Sequence, residues 1–234
     1  MEIDVKNIIL KPIQSKYAND FIKKNHYSGK IVNNSKLHFG CFYNDVLHGV
    51  LSFGSPLDKR KVLGLVTNTK WNEMLELNRM AFDETLPKNS ESRCISISIK
   101  LIKKNYPHIK WILSFADGTQ CGDGTIYRAS GFLLTMIKVN HNTCKTGNEV
   151  IHKMTLESNP LAKRGELGGK TYYDITNGRF NFKEYVQFVG GEILKGFQLR
   201  YIYLIDKTQK ITVPIIPFSK IKELGAGMYK GEKK

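Results

Sequence analysis

Residues 74–132 constrain this chain more than any other stretch, because their order permits little besides strand, polar loop, helix, strand and short helix. ELNRMAF (76–82) alternates as a strand does, and LPKNSESR (86–93) is a polar loop that runs into a helix start. ILSFAD (112–117) is an apolar strand closed by a carboxylate, and GTIYRASGF (124–132) is a short helix bounded by glycines. Each long apolar run ends on charged or small polar residues, which is how an open α/β sheet presents chemistry at the carboxyl ends of its strands. An active site is expected here.

Within 74–82, strict period-two alternation puts Leu75, Leu77, Arg79 and Ala81 on one face. A guanidinium among leucines needs a partner, because burying an unpaired charge is costly. Arg79 is therefore either in a structural ion pair with Glu76 or Asp83 or a clamp for an anionic ligand. Ser90, Glu91 and Ser92 offer capping chemistry for a helix reaching about Asn105, where Pro107 ends it and Ile95, Ile99 and Ile102 form the buried stripe. The first amides of such a helix are unpaired and its dipole end is positive, so the polar loop before it can hold an anion. Asp117, at the end of a strand, is either the cap of the next helix or a working carboxylate.

The flanks supply further elements. Ile8, Ile9 and Leu10 form a first strand ended by Pro12, and a helix runs from an N-cap at Ser15 to about Lys24 with Tyr17, Phe21 and Ile22 on its apolar face. It leads into Asn25-His26-Tyr27-Ser28-Gly29, where the histidine and tyrosine are either cap and packing residues or part of a site. LHFGCFY (37–43) and VLHGVLSF (46–53) make an antiparallel hairpin across Asn44-Asp45, and Gly40 and Gly49 mark bulges or close backbone approaches. Leu133 to Val139 continues the sheet, and beyond His141 the order is less distinct until a strong strand at 197–205. Tyr172, Tyr173, Phe180, Phe182 and Tyr185 lie among Lys170, Arg179 and Lys183, a mixture that either stacks exposed bases or forms a core. The glycine- and lysine-rich tail from Gly225 is expected to be mobile.

Composition narrows the function. A formal net charge of +15 over 234 residues favours a polyanionic partner, since Lys and Arg attract phosphate backbones through counterion release. Cys41, Cys94, Cys121 and Cys144 are scattered without a C-x-x-C pair, so neither a zinc knuckle nor a disulfide framework is expected. No apolar run approaches the roughly 18 residues of a membrane span. The acidic residues of the amino terminus do not suit a secretory signal, and a cytoplasmic location is expected.

The order strand, helix, hairpin, strand, helix, strand, helix, strand resembles the acyl-CoA N-acyltransferase (GNAT) fold, and within it the chain resembles the Mom family of bacteriophage DNA-modification proteins. The resemblance is carried by Asn25-His26-Tyr27-Ser28, Glu76-Leu77-Asn78-Arg79, Leu86-Pro87-x-Asn89-x-Glu91-Ser92, Ser114-Phe115-Ala116-Asp117 and the run 124–131, with Arg200-Tyr201-Ile202-Tyr203 near the end. It covers about residues 20–135. It implies an α/β fold with a GNAT-like mixed central sheet flanked by helices: a catalytic core over 1–140 and a C-terminal extension over 141–234 that packs on the core and contacts nucleic acid. It also implies an enzyme that places a methylcarbamoyl group on the exocyclic amine of adenine in phage DNA, as an escape from host restriction.

The family's functional positions match His26, Tyr27, Arg79, Ser92, Asp117 and Tyr127, and family members are associated with bound iron. His26, Tyr27 and Asp117 would make a hard N/O ligand set that suits iron. Asp117 is the expected base or metal ligand, with Tyr127 as proton relay or donor. Arg79 and Ser92, with Asn89 beside them, would hold an anionic donor. The adenine must be flipped out or single-stranded. The GNAT pyrophosphate loop carries glycines that Lys88-Asn89-Ser90-Glu91-Ser92 lacks, so acyl-CoA is an open question, as is the oligomeric state. A conventional N-acetyltransferase acting on a small-molecule or protein amine, and a non-enzymatic DNA-binding module, are the competing readings.

Overall fold

Strand alternation and turn chemistry build most of the sheet directly. The structure is a computed structural model that describes residues 4–147, 149–229 and 232–233. Strand β1 (Ile9–Pro12) leads into helix α1 (Ser15–Asn25), then into the hairpin of β2 (Ser35–Tyr43) and β3 (Val46–Gly54). Asn44 and Asp45 turn that hairpin with φ of 49° and 61°, the left-handed pair that a tight two-residue turn requires. Gly49 is a close approach as expected, since a Cβ there would lie 2.4 Å from the Phe82 ring.

A short helix α2 (Lys59–Val62) precedes strand β4 (Met74–Phe82), helix α3 (Ser90–Asn105), strand β5 (Trp111–Asp117), helix α4 (Thr125–Ala129) and strand β6 (Leu133–Asn140). The next stretch holds β7 (Thr143–Thr146), β8 (Glu149–His152), α5 (Lys153–Glu157), α6 (Tyr172–Ile175), α7 (Phe182–Phe188) and β9 (Glu192–Ile193). Strand β10 (Gly196–Leu204), helix α8 (Ser219–Glu223) and the pair β11 (Met228–Tyr229) and β12 (Glu232–Lys233) complete the chain.

Seven strands form the main sheet in the order β1-β2-β3-β4-β5-β10-β6, antiparallel throughout except for the parallel pair β4 and β5. On one face α3 buries Cys94, Ile95, Ile99 and Ile102 against Phe39, Leu51, Phe53, Leu77 and Ile112. Each of these large side chains contributes about 1.5–3 kcal/mol on full burial. On the other face α1 buries Ala18 and Ile22, four apart, on Val50 and Ala81. Tyr17, expected on that stripe, is 58% exposed.

Several sequence expectations change here. The boundary at 140 does not separate a core from an extension, because β10 sits inside the sheet between β5 and β6. Residues 141–195 are an insertion between two neighbouring strands, and the residues that flank it, Asn140 and Gly196, are register partners. The insertion has its own core of Cys144, Ile151, Leu156, Tyr172, Phe182 and Tyr185, which places three of the five aromatics considered for base stacking indoors, while Tyr173 is 47% exposed. It carries eight Lys and Arg against six Asp and Glu, whereas residues 1–140 carry 20 against 12, so the positive charge is concentrated away from it.

The tail expected to be mobile is docked through Tyr229. Ala226 and Met228 are buried, and the Met228 carbonyl accepts the Asp123 N–H at 3.2 Å. The helix caps also differ. Gln14 is the N-cap of α1 and Asn89, at φ 73°, that of α3, neither with a side-chain capping bond, while the Ser90 hydroxyl turns back to the Pro87 carbonyl at 2.6 Å.

Candidate active site

Strands β4 and β5 pair only from Met74↔Trp111 to Glu76↔Leu113 and then part, β4 staying on β3 and β5 on β10. The Ser114 hydroxyl reaches the Leu77 carbonyl at 3.4 Å across the first unpaired position. Where they part, β4 also changes phase. Phe53 pairs with Leu77 and Ser52 with Arg79, so Asn78 is an extra residue opposite no partner, a β-bulge. Before it, Leu77 packs in the core under α3; after it, Met80 and Phe82 face that core and Ala81 faces α1. The expected shared face of Leu75, Leu77, Arg79 and Ala81 is therefore broken. Arg79 lies with Glu76 on the α1 side, where the alternation of β5 also puts Asp117.

Each of these groups is held. Arg79 Nε donates to the Lys30 carbonyl at 3.0 Å and Nη1 to the Asn78 carbonyl at 2.8 Å, leaving the rest of the guanidinium fork for a ligand. Asp117 Oδ1 accepts the Thr119 N–H at 2.9 Å, the Thr119 hydroxyl at 2.5 Å and Asn140 Nδ2 at 3.3 Å. Glu76 is largely withdrawn from water, which pushes its carboxyl up to about 7 although the Arg79 charge pulls the other way.

Tyr127, 7% exposed, packs its ring 5.4 Å from Tyr201 and 5.5 Å from Phe132. Burial pushes its phenol up to about 12 against the opposing effect of the Ser114 hydroxyl, so at neutral pH it is a proton donor. Behind it, Tyr201 donates to the Asp123 carbonyl at 2.5 Å and Arg128 pairs with Asp123 at 3.0 Å. Gly124 stands at φ 78° with the place of a Cβ 2.4 Å from the Tyr201 ring, so only glycine fits this corner.

His26 and Tyr27 reach the same place from the end of α1, with their rings 4.1 Å apart. The Ser28 N–H donates to His26 Nδ1 at 3.1 Å and the Ser28 hydroxyl lies 2.8 Å from the same atom. Burial, and then the Arg79 charge, push the His26 imidazolium down to about 4, so the ring is neutral with its proton on Nε2. Although about half of the Tyr27 side chain is exposed, withdrawal of its hydroxyl from water and the Asp117 carboxylate push its phenol upward, and the same two causes push up the Cys121 thiol.

These facts test the expected iron set of His26, Tyr27 and Asp117. Neither His26 nitrogen offers a free lone pair in this arrangement, and one Asp117 oxygen is already crowded with donors. Among the described residues no group of three or more His, Cys, Asp or Glu could hold a metal ion. The residues as placed do not fit iron.

The structure thus gathers His26, Tyr27, Arg79, Asp117 and Tyr127 at the parting of β4 and β5. Ser92 and Asn89 stand at the start of α3, where the Ser92 hydroxyl donates to the Asn89 carbonyl at 3.1 Å; no hydrogen bond or ion pair joins them to Arg79 among the described residues. Sequence reasoning missed three members. Glu76 entered only as an ion-pair partner, Ser114 only as part of a motif, and His152 not at all. His152 comes from the insertion, and no local signal marks it.

A model of the Mom protein family matches residues 7–220. The chain is 36% identical over 165 residues to the methylcarbamoylase mom of Escherichia phage Mu, an alignment spanning 70% of this chain and 66% of that protein. Among solved structures it is similar to an N-acetyltransferase from Staphylococcus aureus Mu50, with a TM-score of 0.47, 10% identity and coverage of 85% of this chain and 99% of that one. It is also similar to the spermidine/spermine N-acetyltransferase SpeG from Vibrio cholerae, with a TM-score of 0.46, 9% identity and coverage of 87% and 96%.

Proposed function

This chain belongs to the Mom protein family, and from that premise we propose that it is a DNA-modifying transferase that adds a methylcarbamoyl-type group to the exocyclic amine of adenine, protecting phage DNA from host restriction. The observation that carries the chemistry is the bulge at Asn78, which turns Arg79 onto the face that Glu76 shares with Asp117 beside the gap between β4 and β5.

Adenine's amine is delocalised into its ring and is a poor nucleophile, so its proton must be taken as the new bond forms. In this reading the second oxygen of Asp117 accepts one amine hydrogen and orients the nitrogen. Glu76, poised near 7, takes the other proton as the nitrogen bonds to the donor's carbonyl carbon. The bond to the donor's leaving group breaks with its electron pair on that group, and the protonated Tyr127 donates where the negative charge develops. Arg79 clamps an anionic part of the donor, and the start of α3, with Asn89 and Ser92, supplies a second anion-binding place further along. Acyl-CoA is one donor of that shape.

The amine lies inside a duplex, so the base enters flipped out or single-stranded, drawn by the net charge of +15. Among the described residues no helix is long and apolar enough to cross a membrane. The test is digestion of DNA from cells expressing the protein, followed by mass measurement of the nucleosides. Adenosine of increased mass is expected, and a normal nucleoside profile from cells containing folded protein refutes the reading.

A further inference from the structure

Among the described residues of the insertion 141–195, His152 comes within electrostatic reach of the site, and two hydrogen-bonded tethers hold its neighbours. One starts from Asp117: Asn140 Nδ2 donates to its Oδ1 at 3.3 Å, the Asn142 N–H donates to Asn140 Oδ1 at 3.1 Å, and the Lys153 N–H donates to the Asn142 carbonyl at 2.7 Å. The other starts from Arg79, which donates to the Lys30 carbonyl at 3.0 Å, while Lys30 Nζ donates to Thr155 Oγ1 at 3.0 Å. His152 directly precedes Lys153, where one tether ends, and lies three residues before Thr155, where the other ends, within electrostatic reach of both Asp117 and Arg79.

Its ring is also oriented. As the N-cap of α5, His152 accepts the Met154 N–H on Nδ1 at 3.1 Å. The lone pair of Nδ1 is used, so the neutral ring carries its proton on Nε2, the atom farthest from the backbone. Burial holds the imidazolium down, which keeps the ring in that neutral, single-donor form. The proposed chemistry uses no group in this place. A carboxylate acceptor with a ring N–H donor within reach of it would match one kind of base edge, an exocyclic amine next to a ring nitrogen.

We propose that His152 determines base specificity, its Nε2–H donating to a ring nitrogen of the adenine whose amine is held by Asp117. This rests on the proposed modification of adenine. It gives the insertion a task that its nearly balanced charge does not suggest: it reads the base rather than gripping the backbone.

The test measures equilibrium binding of single-stranded thymidine oligomers that carry one adenine, one 1-deazaadenine or one 7-deazaadenine. The natural protein is expected to bind one of the two deaza oligomers about 3- to 10-fold more weakly than the adenine oligomer, the worth of one neutral hydrogen bond. His152→Asn keeps an acceptor for the Met154 N–H but withdraws the distal donor, and it should bind all three oligomers alike with an unchanged melting temperature. His152→Gln places an amide N–H near the position of Nε2 and should restore discrimination. Equal binding of all three oligomers by the natural protein, or discrimination that persists in His152→Asn, overturns the inference. A nucleoside digest that contains modified adenosine beside either result leaves the function standing, whereas a digest without it removes the function and this inference together.

Discussion

The site has two walls built in different ways. The corner from Asp117 to Tyr127 is tied to the body of the protein by backbone. The Gly118 N–H donates to the Phe197 carbonyl at 2.7 Å, the Asp123 N–H to the Met228 carbonyl, and Tyr201 and Arg128 both close on Asp123. The opposite corner, 26–30, has local backbone bonds of its own, from the His26 N–H to the Ile22 carbonyl at 2.9 Å and from the Gly29 N–H to the His26 carbonyl at 2.8 Å, but leans on the rest of the site through side chains: Arg79 on Lys30, and Lys30 on Thr155. Buried backbone bonds are costly to leave unmade, while exposed side-chain bonds contribute little. One wall is therefore a fixed reference, and the other can adjust as a nucleotide enters.

Substitutions can break or sharpen that contrast. The largest effect is expected from Glu76→Gln, which should slow modification by about 10²- to 10⁴-fold, the usual worth of a general base. In single-turnover assays it should also remove the rise in rate that the natural enzyme shows through pH 7. The same residue makes a stability statement. Its folded pKa, about 7, lies above its unfolded value, so its contribution is present below the unfolded pKa and is lost as pH rises through 7; denaturation of Glu76→Gln should show a flatter profile from pH 5 to 8.

Next, Gly124→Ala combines a left-handed backbone with a clash against the Tyr201 ring and should cost on the order of 3 kcal/mol in urea unfolding, with activity falling alongside. Tyr201→Phe leaves the buried Asp123 carbonyl short of one donor and should cost about 1–2 kcal/mol. The smallest effect belongs to the adjustable wall. Thr155→Val removes the Lys30 bond and should shift stability by less than about 0.5 kcal/mol while lowering product severalfold. If Thr155→Val unfolds the protein as readily as Gly124→Ala does, the two walls are alike and the contrast is wrong.

Much of the fold is legible in the residues. The hairpin turn at Asn44-Asp45, the helix 90–105 and the strand ending on Asp117 come from turn chemistry, apolar stripes and caps, which are local. Arg79 stands out in the sequence, but period-two counting puts it on the wrong face, because a bulge is set by pairing with β3 and counting along one strand cannot see it. The order of the last strands is hidden for a similar reason. Fifty-five residues separate Asn140 from Gly196 in sequence although the two are neighbours in the sheet. The tail looks mobile by composition, yet Met228 finds a place against Gly118 that only tertiary packing provides. His152 and Glu76 depend on burial and on partners distant in sequence, so no motif announces them.

Because Asn140 and Gly196 face each other across β6 and β10, the insertion enters and leaves the fold at a single doorway. Its core is separate, and an Asn-Gly pair is itself the chemistry of a tight turn. The insertion's own core and neighbouring ends mean that shortening it need not disturb the pairing of the sheet strands. Since the doorway residue Asn140 also donates to Asp117, such a change would be felt at the carboxylate on which the proposed chemistry turns.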